Sequence, residues 1–180
     1  MTTPVGDIWT KGRRAVNAQW HLRAATEVAR TVRLAGKPAV SNFGTMRIGD
    51  RAKLISTVAT LELAANHGGT LDIGARAFVN YGTSLSASLL VKIGPRCQIG
   101  TYCILMDNQW HRLEPERRLE RPESKPIVLE ENVWLGARVI VMPGVTIGEG
   151  SVVGAGSVVT RSVPPRRLAV GVPAKVIRDL

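Results

Sequence analysis

Large rings are scarce in this chain: Phe, Trp and Tyr make up 4% of its 180 residues, whereas 44% are hydrophobic. A core must therefore come from Val, Ile, Leu and Ala. That suits short strands with many turns, for which 18 Gly and 10 Pro are at hand. Acids are also in the minority, 14 against 24 Lys and Arg, for a formal net charge of +10. Such a balance suits nucleic acid, an anionic membrane or a phosphorylated small molecule, and charge alone does not choose. Nucleic acid is set aside, because no helix-turn-helix, zinc-finger or RNP-like pattern occurs and few rings are available for base stacking. No run approaches the roughly 18 apolar residues of a spanning helix, and no apolar leader with a small-residue cleavage site opens the chain, so a cytoplasmic location is expected. Cysteine is limited to Cys97 and Cys103. Two thiols in a reducing compartment make neither a disulfide framework nor a metal site. The length fits one domain.

What the chain does have is a period of six. Leu129, Leu135, Val141, Ile147, Val153 and Val159 recur at that spacing, and four residues after each stands a small or β-branched residue: Val133, Val139, Val145, Ser151, Ser157 and Val163. An amphipathic helix predicts spacings of three and four and an ordinary strand predicts two, so neither accounts for a sustained six. A short strand plus a turn does. Three such units make a triangular coil of 18 residues, which stacks Leu129 on Ile147, Leu135 on Val153 and Val141 on Val159. Gly136, Gly148 and Gly154 directly follow aliphatic positions, where tight corners fall. Upstream the period runs through Ile73, Val79 and Leu85, then slips by two residues to Ile93, Ile99 and Leu105, with Ile48 and Leu54 as an earlier coil. From Leu54 to Ile73 is 19 residues, which predicts a bulge around Asn66, His67, Gly68 and Gly69. In this register Cys97 and Cys103 are inward core residues on adjacent faces.

The period stops between Leu105 and Pro126 for a polar stretch that opens Asp107-Asn108-Gln109-Trp110-His111 and continues through Glu114, Glu116, Arg117, Arg118, Glu120 and Glu123. A loop thrown out of a regular solenoid is a place for function. Its start reads as a site and its charged remainder as a solvated arm. Before about Pro38 the period is not evident, and Arg13 to Leu34 reads as a helix with Val16, Trp20, Ala24, Val28 and Val32 near one face. Over the whole segment the cations, Lys11, Arg13, Arg14, Arg23, Arg30 and Arg33, outnumber Asp7 and Glu27. The expected organisation is a basic helical cap over residues 1–38 and a β-solenoid over 39–180, with a projecting loop at about 107–126 and a C-terminal tail at 165–180. The helix is expected to cover the open first coil, with peripheral contact to an anionic membrane face as the alternative.

Four segments carry a family resemblance: Phe78-Val79-Asn80-Tyr81-Gly82, the Asp107 to His111 stretch, Asn132-Val133-Trp134-Leu135-Gly136, and the tail formed by Gly154 to Arg161 with Gly171-Val172-Pro173-Ala174-Lys175-Val176-Ile177-Arg178. With the repeat, these make the chain from about Ile48 to Arg178 resemble the hexapeptide-repeat acetyltransferases, most nearly those acting on sugars and capsular polysaccharides. The resemblance implies an all-β, left-handed parallel β-helix, a homotrimer, and acetyl-CoA as donor with no metal required. It implies that His111 is the general base, in keeping with an imidazole titrating near neutrality and a hydroxyl that attacks a thioester poorly unaided. Asp107 is expected to orient His111. By the same resemblance Asn80 and Trp134 meet the acceptor, Ala155 and Thr160 contact the donor, and Arg161, Lys175 and Arg178 face its phosphates. Ala137 stands where the galactoside type can carry a serine, which leaves a backbone N–H to meet the oxyanion. The N-terminal segment lacks the small helical region with which maltose and galactoside acetyltransferases begin.

The activity expected is transfer of an acetyl group from acetyl-CoA to a saccharide hydroxyl. The same base and groove would serve N-acetylation of an amino sugar or a drug-like acceptor. A non-catalytic scaffold is the reading from a different class. A zinc enzyme of carbonic-anhydrase type would need about three converging histidines, and His21, His67 and His111 do not share a context in the repeat.

Overall fold

The structure is a computed structural model that describes residues 4–180, with side chains from Gly12 onward. Lys11 and Asp7 of the basic segment lie outside the described side chains. From Glu27 the chain winds through three parallel sheets, visiting each in turn. The first face stacks Glu27–Val28, Thr45–Ile48, Thr70–Ile73, Leu90–Ile93, Ile127–Leu129 and Thr146–Ile147. The second stacks Arg33–Gly36, Lys53–Ser56, Phe78–Val79, Gln98–Ile99, Trp134–Leu135, Val152–Val153 and Arg167–Gly171, with Ala174–Asp179 at its edge. The third stacks Ala39–Asn42, Glu62–Ala65, Ser84–Ala87, Ile104–Met106, Ile140–Val141 and Val158–Val159. This is the expected parallel β-helix.

Strand alternation sends one aliphatic residue of each short strand inward. Ile73, Ile93, Leu129 and Ile147 from the first face meet Val79, Ile99, Leu135 and Val153 from the second and Leu85, Leu105, Val141 and Val159 from the third, all at most 1% exposed. The registers Leu129 on Ile147, Leu135 on Val153 and Val141 on Val159 are as the six-residue spacing requires. Outward residues are polar where the face is solvated. On the first face Glu27 lies opposite Arg47, Arg47 opposite Asp72, and Asp72 opposite Lys92, an alternating charge ladder in which each pair contributes roughly 0.2–1 kcal/mol.

Two expectations are corrected here. Leu54 does not stack one bulged coil below Ile73: it pairs with Val79, 25 residues on, while Ile73 pairs with Ile48. The surplus is taken up in two places, the Asn66 to Gly69 corner and the Thr57 to Leu61 segment before the next strand. At the corner Gly68 takes φ +76° and the Asn66 amide donates to the Ala87 carbonyl at 3.2 Å. The helix is also shorter and earlier than the expected Arg13 to Leu34, spanning Pro4–His21. Val28, Leu34 and Val40 in fact keep the spacing of six, and the strands holding them pair with the coil that follows. A spacing of four through Val16, Trp20, Ala24 and Val28 hides that coil, whose boundary falls at Glu27 instead of Pro38.

Both ends of the solenoid are covered. Ala18 of the helix and Leu22 just after it are fully buried, and the Asn17 side chain donates to the edge carbonyls of Leu34 at 3.1 Å and Gly36 at 2.8 Å. At the far end Ala174–Asp179 folds back antiparallel on Arg167–Gly171, so the last edge is paired. Among the described residues no helix is long and apolar enough to cross a membrane.

Corners stack as closely as strands. A Cβ built on Gly136 would lie 2.6 Å from the Ala155 backbone nitrogen of the next coil, a contact that only backbone movement relieves. Gly136→Ala should therefore lower stability by roughly 1–3 kcal/mol, the usual cost of overpacking. Thermal unfolding checks this, and an unchanged midpoint would mean that the corner yields freely.

Candidate active site

The loop at 107–126 leaves the solenoid where the third face turns toward the first, and its root is built from two buried polar residues. Asp107 is fully buried and Asn108 is 2% exposed. The Asp107 carboxylate accepts three successive backbone N–H groups, from Ser88 at 2.7 Å, Leu89 at 2.6 Å and Leu90 at 2.7 Å. These belong to the preceding coil, at the two-residue slip, where the chain makes an extra turn. Asn108 closes the loop on itself. Its amide donates to the Pro122 carbonyl and the Ser124 hydroxyl, each at 2.8 Å, and its oxygen accepts the Trp110 N–H at 2.7 Å. Asp107 was expected to orient His111. Its two oxygens are instead occupied by the backbone, because the slip leaves donors there that need an acceptor.

His111 is exposed, and its Nδ1 lies 2.8 Å from the backbone carbonyl of Arg118. A carbonyl oxygen can only accept. Nδ1 must then carry the proton, and in the neutral ring Nε2 is left with its lone pair facing outward. The charged part of the loop holds that carbonyl in place. A 3-10 turn at Pro115–Arg117 precedes it, Arg117 is paired with Glu120 at 2.7 Å, Arg112 reaches Glu120 at 3.2 Å, and Arg118 donates back to the Leu113 carbonyl at 3.1 Å. The arm that reads as merely solvated thus has internal order. Beside His111 the Trp110 backbone takes φ +65°, and the Arg121 guanidinium lies 4.2 Å over its ring.

The other predicted residues fall into two sets. Thr160 and Arg161 are exposed at the same third-to-first corner as the loop, on the coils below it: Thr160 follows Val159, which stacks through Val141 under Leu105. Asn80, Ala137 and Ala155 lie at the second-to-third corner, where Asn80 stacks over Gly100, Gly136 and Gly154. Trp134, 54% exposed, projects from the second face, and Lys175 and Arg178 are exposed on the strand that closes that face. The Asn80 oxygen accepts the N–H of Tyr81 at 2.9 Å, so half of its amide serves its own turn. The second face lies opposite the third-to-first corner, with the first and third faces between them. One chain therefore does not bring His111, Thr160 and Arg161 together with Asn80, Trp134, Ala137 and Ala155.

Cys97 and Cys103 are buried free thiols that donate to the carbonyls of Glu130 at 3.0 Å and Gly136 at 3.2 Å. Burial pushes each up to about 11, so both stay protonated at neutral pH and neither is an activated nucleophile. His67 stacks on Phe43 at a corner and His21 ends the helix, both away from the His111 loop. Among the described residues no group of three or more His, Cys, Asp or Glu could hold a metal ion.

The family model described as bacterial transferase hexapeptide (six repeats) matches residues 126–161, the most regular coils. Galactoside O-acetyltransferase of Escherichia coli is 36% identical over 116 residues, which cover 64% of this chain and 57% of that protein. The chain is thus similar to the hexapeptide-repeat acetyltransferases, and its most regular coils match their repeat. Among solved structures, a galactoside acetyltransferase in complex with coenzyme A superposes with a TM-score of 0.55 at 30% identity, over 78% of this chain and 64% of that one. PerB from Caulobacter crescentus, in complex with CoA and GDP-perosamine, does so with a TM-score of 0.55 at 26% identity, over 81% of this chain and 57% of that one. This chain thus spans about three fifths of the length of the relatives it matches.

Residue type pointed to His111 but not to its partner. A backbone carbonyl carries no signature in sequence, so Arg118 had no reason to be singled out. Asn108 did have one, since an Asn at the entry to a loop readily bonds its own backbone two residues on.

Proposed function

We propose that the protein transfers an acetyl group from acetyl-CoA to a hydroxyl of a saccharide acceptor, with His111 as general base. The observation that carries this is the His111 Nδ1 to Arg118 carbonyl contact of 2.8 Å, which leaves Nε2 free to take a proton. In the reaction the acceptor oxygen attacks the thioester carbon as Nε2 removes its proton. The tetrahedral oxyanion meets a backbone N–H, for which Ala137 is the candidate: among the described residues its N–H has no backbone acceptor. Collapse expels the CoA thiolate, which recovers the proton from the imidazolium. The CoA complexes of the two solved relatives support the choice of donor.

We propose further that the working unit is a homotrimer in which the third-to-first corner of one copy meets the second face of the next. The split of the predicted residues between those two regions supports this arrangement. His111, Thr160 and Arg161 would come from one copy and Asn80, Trp134, Ala137, Ala155, Lys175 and Arg178 from its neighbour, with the donor along the groove between them. A ring of three closes such a head-to-tail contact.

The test is acceptor-dependent release of CoA thiol from acetyl-CoA, with hydroxyl and amino saccharides compared side by side. Release with a hydroxyl acceptor is the expected result. Release with amines alone would turn the reading to N-acetylation, and none with either would leave a scaffold. At the donor end, Lys175→Ala with Arg178→Ala should raise the KM for acetyl-CoA far more than it lowers kcat, since both residues face a remote part of the substrate. Charge-assisted contacts of about 1.5–3 kcal/mol each set the scale. Unchanged acetyl-CoA binding by calorimetry would make the closing strand purely structural.

A further inference from the structure

The second face carries a charge pattern unlike that of the first. Its outward column reads Arg33, Lys53, Phe78, Gln98 and Trp134 on successive strands, so two cations lie directly opposite each other. Like charges in that position are destabilising. Two more stand beside them at the first-to-second corner, Arg51 and Arg76, and the four line a groove of about 330 Å³ together with Phe78 and Gln98. Compensation is thin. Arg51 has its neighbour Asp50 at 3.5 Å with both side chains exposed, and among the described residues no carboxylate pairs with Arg33, Lys53 or Arg76.

The backbone does not ask for arginine there. Arg51 and Arg76 take φ +56° and +59°, a region that suits Gly or Asn, and the same corner uses Asn132 at +57° and Gly150 at +67° further along. Arg96, also at that corner, is paired with Glu131. Two residues thus sit at a strained backbone position, without a partner of comparable strength, beside two further cations and one aromatic ring.

We infer that this groove binds the phosphate or diphosphate of an anionic acceptor, with Lys53, Arg76, Arg33 and Arg51 around the phosphate oxygens and Phe78 against a ring of the same molecule. The inference deepens the proposed acyl transfer and rests on it for the word acceptor. Placement suits that role. The groove lies on the column that holds Trp134 and includes Phe78 of the strand that leads into Asn80, and from Lys53 to Trp134 is three strand spacings, about 15 Å at roughly 4.8 Å each. That is the reach of a sugar with a diphosphate attached. The donor end is on the opposite side of Trp134, toward Lys175 and Arg178.

The experiment is calorimetric titration of the full chain with inorganic pyrophosphate, in saturating CoA, for wild type and for the double variant Lys53→Gln with Arg76→Asn. Wild type should bind one pyrophosphate per chain with an affinity that falls with salt. The variant should bind roughly ten-fold or more weakly, since charge-assisted phosphate contacts are the strong ones, while keeping its CoA affinity. Asparagine suits the left-handed corner, so the variant should unfold no earlier than wild type. Separate titrations with uridine diphosphate and with farnesyl diphosphate distinguish a nucleotide-linked from a lipid-linked source, and tighter binding of either than of pyrophosphate supports the shared diphosphate chemistry. The inference is overturned if wild type does not bind pyrophosphate, if CoA displaces it, or if the variant binds it as wild type does. A variant that changes only the oligomeric mass would assign the cations to a contact between copies and also overturn it. Thiol release with an uncharged saccharide reads the acyl-transfer proposal independently, so each can fail alone.

Discussion

His111→Ala should lower kcat by on the order of 10² to 10⁴, the usual scale of general-base assistance, while leaving the fold and the donor affinity in place. The side chain comes from a loop and is exposed, and its one hydrogen bond is to the carbonyl of Arg118, so the stacked aliphatic core does not sense its removal. Thermal unfolding should move little. His111→Asn, which has no basic ring nitrogen, should be about as slow as His111→Ala. Turnover of His111→Ala close to wild type, with a proven acceptor, would contradict the base assignment.

Asp107→Ala should damage stability more than any other single change in the loop. Three backbone N–H groups, from Ser88, Leu89 and Leu90, would lose a charged acceptor inside a fully buried pocket. Hydrogen bonds to charged groups contribute about 1.5–3 kcal/mol each, and partial access of water to the opened pocket offsets some of the loss, so a net cost of roughly 3–5 kcal/mol is expected. For a chain of this size that lowers Tm by on the order of 10 °C. Asp107→Asn keeps one carbonyl-type acceptor but turns an NH2 toward donors, and should fall between the two. The outcome separates two roles. A residue that orients His111 would lower kcat with Tm unchanged, whereas a residue that anchors the loop root lowers Tm and takes kcat with it as His111 loses its place.

How far the sequence discloses this molecule depends on where the period is clean. From Leu129 to Val159 each inward position recurs without insertion, so the coil, its register and its buried small residues can be read directly. Upstream, surplus residues at Thr57 to Leu61, Asn66 to Gly69 and Ser88 to Leu89 are absorbed at corners, and counting alone cannot assign them to one coil or another. At the N-terminus, spacings of four and six coincide at Val28, and only strand pairing with Arg47 and Ile48 decides between helix and coil. In the site, titratable side chains announce themselves, and the groups that hold them do not. The Arg118 carbonyl is one such group, and the three amides that claim Asp107 are another. The basic groove at Arg33, Arg51, Lys53 and Arg76 is likewise invisible to composition, which reports an excess of cations but not that four of them line one groove.

The claim that a site is divided between copies is tested most directly by mixing two inactive chains. His111→Ala removes the proposed base from one side of the groove, and Trp134→Ala removes the proposed acceptor contact from the other. Each alone should form a particle of about three times 19.4 kDa with little activity. Unfolded and refolded together at equal amounts, they should regain about a quarter of wild-type thiol release, the share of head-to-tail contacts in which an intact His111 faces an intact Trp134. Activity of the mixture no greater than the mean of the two parents would contradict the account and confine the chemistry to a single chain.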